Sequence, residues 1–261
     1  MRTRRVFLWA FSLLVGLWLV APTLVVIPLA FTGQQSFAFP PRSWSLRWFE
    51  NFFSDPAWVG SLLNSLQIAA LSALIATVLG TMAAMGLSRS RFRGRAVIGG
   101  LVLSPMLVPS VVFAVGIYAV FLELHLVGTF LGFTVAHAVL SLPFVIVPVS
   151  SVLATFDERL ERAAEVCGAN KWRTFFQVTL PGIAPGVFSG FMFAFVVSFD
   201  EVVVSLFISS PFLETLPVKM YSSVQRDIDP TIAAAATVII CLTSTIIGIA
   251  MLTSTRRTRR A

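Results

Sequence analysis

The sequence predicts an all-α membrane protein, six spanning helices in a single domain over residues 1–261, and three observations carry that prediction. The 261 residues are 57% hydrophobic and only 12% charged, against roughly 25% charged in soluble domains. Six stretches, at about 6–31, 61–87, 96–121, 129–153, 184–208 and 231–254, reach the about 20 apolar residues that a helix needs to cross a roughly 30 Å hydrocarbon layer. The basic residues alternate along the chain. Arg2, Arg4 and Arg5 precede the first span, and Arg89, Arg91, Arg93 and Arg95 join the second to the third. Arg159, Arg162, Lys171 and Arg173 join the fourth to the fifth, and Arg256, Arg257, Arg259 and Arg260 follow the sixth. Of the 19 basic residues, only Arg42, Arg47, Lys219 and Arg226 fall on the other side. The positive-inside rule places the rich segments and both termini in the cytoplasm. The net charge of +7 is thereby a matter of orientation, not of nucleic-acid binding.

The first span follows Met1-Arg-Thr-Arg-Arg, but its apolar run of about 26 residues exceeds the roughly 7–15 of a signal-peptide core, and no small-residue cleavage site follows. It reads as a retained anchor. Residues 32–60 include "FPPRSWSLRWFENFFSDPAW", rich in the amphipathic aromatics that favour a membrane–water interface. Pro40-Pro41 excludes a continuous helix there, and the segment is expected on the outer surface.

The third span carries Pro105 and Pro109, and the fourth carries Pro143 and Pro148. Each removes a backbone donor and is expected to bend its helix, forming a hinge or cavity wall, or else to be tolerated by neighbouring helices. His125 falls in an outer turn beside Glu123, and His137 within the fourth span. A lone histidine reads as a packing or hydrogen-bonding residue, and neither is assigned a role. Cys167 in an inner loop and Cys241 in a helix predict neither a disulfide framework nor a metal site. No GxxxxGK[ST] phosphate loop, metal signature or hydrolase elbow occurs. The chain is expected to bind no cofactor and to have no catalytic site; any use of ATP has to come through a partner.

The loop at 154–182 reads "ATFDERLERAAEVCGANKWRTFFQVTLPG". Asp157 suits a helix cap, Leu160, Ala163, Ala164 and Cys167 recur on one face, and Gly168 suits a left-handed helix end. A second short amphipathic segment carries Trp172, Phe175, Phe176 and Val178, and Leu180-Pro181 is expected to close it before the fifth span. An apolar face with no soluble domain to cover it implies a partner.

The fifth span, starting near Ala184, contains Asp200 and Glu201 about 24 Å along it. Each charge costs about 2.5–3.5 kcal/mol at a helix centre, so both are expected to face protein or water. Helical spacing puts Glu201 on one stripe with Ser198 and Ser205, a polar face able to line a cavity, whereas Asp200 accompanies Phe193, Val196, Val204 and Phe207. No Lys or Arg lies centrally in any span, so the balancing charge belongs either to another subunit or to the cargo. Two readings stay open: a cation path, or a hydrogen-bonding pair that holds subunits together.

Two of these segments resemble a known family. Ala163-Ala164, Gly168-Ala169 and Leu180-Pro181 are spaced as in the EAA loop of bacterial ABC importer permeases, a resemblance extending over roughly residues 60–255. It implies a type I importer permease fold in which Glu161 or Arg162, Ala163, Ala164, Gly168, Ala169, Leu180 and Pro181 transmit ATPase closure. One position departs: Arg162 stands where the family has Glu, with Glu161 immediately before it. Residues 198–224, "SFDEVVVSLFISSPFLETLPVKMYSSV", resemble spermidine/putrescine permeases, with an acidic pair followed by Leu216-Pro217, Lys219, Tyr221-Ser222 and Val224. This implies passage of a small cationic solute along a path bearing Asp200, Glu201, Ser198 and Ser205. The implied assembly comprises a second permease subunit, two ATP-binding cassette subunits using ATP and Mg, and a periplasmic binding protein, set in the bilayer of a bacterial inner membrane. By the same analogy the outer segment 210–230, with Glu214, Asp227 and Asp229, is a docking surface for the binding protein. Another small solute, an ion-coupled carrier and a cargo-free scaffold are the remaining alternatives.

Overall fold

The computed structural model describes residues 2–90, 93–226 and 229–258. Arg91, Asp227, Arg259 and Arg260 lie outside the described residues. The chain is helical: α1 (Arg2–Ala30), α2 (Arg47–Ser54), α3 (Pro56–Arg89), α4 (Arg95–Leu107), α5 (Ser110–Glu123), α6 (Phe130–Leu153), α7 (Arg159–Val166), α8 (Lys171–Thr174), a π-helical turn Phe175–Thr179, α9 (Leu180–Phe199), α10 (Val203–Ile208), α11 (Leu216–Arg226) and α12 (Thr231–Thr258). Two compact units result, one taking in the chain up to Gly60 with Lys219–Thr253, the other centred on Ser61–Val218.

In the first unit the segment after α1 turns back on itself, with Ser45 N–H donating to the Phe31 carbonyl at 2.8 Å. This delivers the amphipathic α2, whose Trp48 is buried with Ala30 of α1 and Ala233 and Ala234 of α12. Asn51 Nδ2 donates to Thr231 Oγ1 at 2.8 Å, and Asp229 caps the start of α12 by accepting from Thr231 N–H at 2.9 Å. The aromatic segment 32–60 is thus folded onto helix ends by its buried tryptophan, while Trp44 and Phe53 remain exposed.

The second unit is built around α6, which runs unbroken through Pro143 and Pro148. Along it lies α9, brought close by glycines: a Cβ at Gly190 would stand 3.0 Å from Val145 Cα, and one at Gly186 2.9 Å from the Pro148 carbonyl. Helix α3 approaches the same ridge at Gly80, and Ser72 Oγ donates to the Thr134 carbonyl at 2.9 Å. Small residues at such contacts let helices touch backbone to backbone where no hydrophobic effect drives association.

Among the described residues, four helical runs are long and apolar enough to cross a membrane: Leu8–Ala30, Pro56–Arg89, Phe130–Leu153 and Lys171–Phe199. The stretch expected as one span at 96–121 is instead two helices, α4 and α5, bent by 105°. Pro109 lacks a donor and forces the residue before it out of helical geometry; Val108 is accordingly extended, at φ −78 and ψ 134. Among the described residues of α12, Thr231–Thr245 is a shorter apolar helix.

The fifth span is also corrected, at both ends. It does not start near Ala184 after a closure at Leu180-Pro181, but continues from α8 without interruption. The cause is the π turn, in which Leu180 N–H bonds five residues back to the Phe175 carbonyl. Widening the turn before Pro181 relieves the clash its ring would make with the carbonyl four residues earlier. At the other end the helix stops at Phe199 and resumes as the short α10 at Val203, so Asp200 and Glu201 occupy a break and not a helix middle.

Candidate functional site

At the break at 200–202 the two acids take different places. Asp200 sits at the C-terminal cap of α9, φ −91 and ψ 0, its N–H still bonded to the Val196 carbonyl. Glu201 Oε1 then accepts from Val204 N–H at 2.8 Å, so its carboxylate caps the first turn of α10. A helix N-terminus presents unpaired N–H groups and partial positive charge, both of which suit a carboxylate. Glu201 is half-buried in that role. Asp200 is exposed, and its side chain has no hydrogen bond or ion pair among the described residues. The two acids expected to act side by side are therefore different: one is committed to the backbone and the other is available.

Ser198 and Ser205 do not line an open face with Glu201 as helical spacing suggested. The break ends the common stripe, and both hydroxyls turn inward onto α6, where they meet His137. His137 is fully buried; its Nδ1 lies 3.0 Å from the Ser198 carbonyl oxygen and 2.9 Å from Ser198 Oγ, and its Nε2 lies 3.0 Å from Ser205 Oγ. One turn along α6, Ser141 Oγ donates to the Ala194 carbonyl at 3.2 Å. Sequence reasoning left His137 without a role. The available signal was a pair of serines flanking the acids, together with a single imidazole in a largely apolar helix.

On α10, Val204 and Ile208 enter an apolar cluster with Ile68, Ala114, Phe121, Phe133, Ala136 and Leu140. The chain then folds back: Gly128 N–H donates to the Ile208 carbonyl at 2.8 Å, and Ser65 Oγ accepts from Leu216 N–H at 2.8 Å, fixing the start of α11. In the outer segment, Glu214 gives its carbonyl to Asn64 Nδ2 at 3.2 Å, and Asp229 is the α12 cap.

A second cluster lies at the far end of α9. Asp157 Oδ1 accepts from Arg159 N–H at 2.9 Å at the start of α7. Gly168 ends that helix in the left-handed region at φ 87, with Ala169 N–H closing back on the Ala164 carbonyl at 3.0 Å. Leu160, Val166, Trp172 and Phe176 are all exposed, Val166 at 88%. Glu161 points the other way: Arg89 Nη2, at the end of α3, lies 2.5 Å from its Oε1, and the Thr179 hydroxyl in the π turn donates to the same oxygen. Arg162 is exposed. A cleft of about 330 Å³ opens beside this ion pair, lined also by Met85, Lys171 and Phe175. The Arg89 contact was missed in the sequence because a run of arginines after a span is explained by topology alone.

Comparison with known proteins agrees with this architecture. The family described as binding-protein-dependent transport system inner membrane component matches residues 76–260. The spermidine/putrescine transport system permease protein PotC of Haemophilus influenzae is 32% identical over 246 residues, covering 93% of this chain and 94% of that protein. The putrescine transport system permease protein PotI of Escherichia coli is 34% identical over 230 residues, covering 85% and 82%. Among solved structures, a chain of a bacterial ABC transporter that imports the acidic polysaccharide alginate shares the fold at a TM-score of 0.70 and 15% identity, covering 97% of this chain and 98% of its own. A chain from the bacterial alginate ABC transporter in complex with its pentasaccharide-bound periplasmic protein gives 0.72 and 18%, covering 97% and 96%.

Proposed function

The chain belongs to the family of binding-protein-dependent transport system inner membrane components, and from that premise we propose that it is the permease subunit of an ATP-driven importer carrying spermidine or putrescine across the inner membrane. The observation that carries the cargo assignment is Asp200: an exposed carboxylate, without a partner among the described residues, at a helix break in an apolar run, in a chain 32–34% identical to polyamine permeases over most of its length. A polyamine crossing an apolar layer loses hydration that only fixed negative charge restores. Asp200 is the residue for direct contact, and Glu201 holds the break open by capping α10. Ser198 and Ser205 belong to the path's wall and not to its surface.

The chain is a transport subunit whose ATPase activity lies in a separate partner. In our reading the domain is one permease unit over 1–261 with six crossings, α4 with α5 forming a bent third and α12 the sixth, and both termini cytoplasmic. The exposed face of α7 and α8 docks on an ATP-binding subunit, which uses ATP and Mg, while Glu161, Arg89 and Thr179 tie that face to α3 and α9. Glu161 thus takes the part left vacant by Arg162. A second permease subunit, a further ATP-binding subunit and a periplasmic binding protein complete the importer.

The test is ATP-dependent uptake of labelled spermidine and putrescine by proteoliposomes holding the complete complex and its binding protein. Asp200→Asn is expected to cut uptake at least about tenfold, the size of one lost charged contact, with assembly intact; Glu201→Gln, which keeps the capping oxygen, is expected to cut it less. Wild-type uptake of neither amine, with ATPase still stimulated by the loaded binding protein, sinks the polyamine and points to another small solute.

A further inference from the structure

The transport reading leaves unused the one imidazole at the heart of the second unit. Helix α9 ends at Phe199, so the Ser198 carbonyl is among the last four of its helix, which lack an intrahelical donor. A carbonyl only accepts. His137 Nδ1 lies 3.0 Å from that carbonyl and 2.9 Å from Ser198 Oγ, and Nε2 lies 3.0 Å from Ser205 Oγ; with its proton on Nδ1 the ring donates to the carbonyl and accepts from the Ser205 hydroxyl. Ser198 lies two residues before Asp200, and Ser205 four residues after Glu201. A single rigid ring thus grips the chain on both sides of the break and satisfies the carbonyl that the break exposes.

We infer that His137 is the positioning residue of the transport path, stapling the end of α9 to the start of α10 and so setting where the Asp200–Glu201 segment presents its free carboxylate. This rests on the acid pair lying in the cation's path. Other contacts do not supply the same constraint. Below the break α9 is held by close packing at Gly186 and Gly190, and beyond it α10 is held by Val204 and Ile208 in an apolar cluster. The Gly128 N–H bond to the Ile208 carbonyl fixes the far end of α10, whereas apolar packing is non-directional; at its first turn the Ser205 hydrogen bond to His137 is what fixes its azimuth against α6.

The experiment uses the complete complex in proteoliposomes with its binding protein saturated, so that the binding protein's own preference is constant. Two quantities are read: cation imported per ATP hydrolysed, and the ratio of spermidine to putrescine imported from an equimolar mixture. His137→Asn keeps a donor for the Ser198 carbonyl but is too short for Ser205, and Ser205→Ala removes the same bond from the other side with little risk to folding. Each is expected to lower import per ATP about tenfold, one hydrogen bond's worth, and to shift the amine ratio. The double variant is expected to fall no further, because both changes delete one interaction. Unchanged import per ATP and an unchanged ratio in Ser205→Ala, or a double variant that loses the sum of both, overturns the inference. Asp200→Asn is assayed alongside: if it imports normally, the acid-pair reading itself fails, whereas its loss beside normal Ser205→Ala leaves the path standing and removes only the role of His137.

Discussion

Asp200 and Glu201 are adjacent in sequence and unlike in duty, and the difference comes from a single hydrogen bond. Because Glu201 Oε1 accepts from Val204 N–H, its removal has a stability consequence that Asp200 does not share. Glu201→Ala is expected to lower stability by about 1 kcal/mol, the worth of a helix cap, and Glu201→Gln to recover most of it; thermal unfolding of the purified complex in detergent measures both. Asp200→Asn is expected to leave that unfolding temperature within error, since the side chain is exposed and without a hydrogen-bonding partner among the described residues. Equal destabilisation by Asp200→Asn and Glu201→Ala contradicts the division of labour. At the same scale neighbouring residues differ: Glu161 reaches both Arg89 and Thr179, whereas Arg162 is exposed.

The elements are joined by contacts that tolerate little. Helices α6 and α9 meet at Gly186 and Gly190, where an added Cβ stands against backbone atoms that cannot yield. Gly190→Leu is expected to cost about 1–3 kcal/mol of stability through overpacking, seen as a lower unfolding temperature and a poorer yield of monodisperse complex. Gly100→Leu, on α4 with open space around its Cβ, serves as the control and is expected to be near neutral. Prolines divide into two kinds here. Pro109 breaks its span, because the residue before it goes extended; Pro143 and Pro148 do not break α6, and Pro181 is absorbed by a π turn. Which outcome a proline produces depends on whether the neighbouring backbone can re-satisfy the group it frees, and its own sequence position does not say.

For the whole molecule the decisive surface is the exposed apolar face of α7 and α8, joined through Glu161 to α3 and through the π turn to α9. Gly168 sits at φ 87 with nothing near its Cβ, so Gly168→Leu costs about 1–2 kcal/mol of local strain and puts a bulky side chain on that face without disturbing the helices behind it. The expected outcome is ATP hydrolysis retained in the assembled importer with uptake per ATP reduced severalfold, measured in proteoliposomes. Uptake per ATP at the wild-type value removes the coupling role from this loop.

By itself the sequence determined that this is a multi-pass helical membrane protein, that its apolar inner-loop face needs a partner, and that Asp200 and Glu201 cannot face lipid. Those properties are legible because the cost of placing a residue in hydrocarbon accrues residue by residue, and helical period is a local property. Only the tertiary structure decided that 96–121 is two helices, that the fifth span begins before Pro181 and ends before Asp200, that Ser198 and Ser205 turn onto His137, and that Glu201 is a cap while the Asp200 side chain has no partner among the described residues. Each of these is an answer to where a particular donor or acceptor finds its partner once water is excluded, and the partner is set by which helices touch: Ser198 and His137 are 61 residues apart in sequence and 2.9 Å apart in the fold.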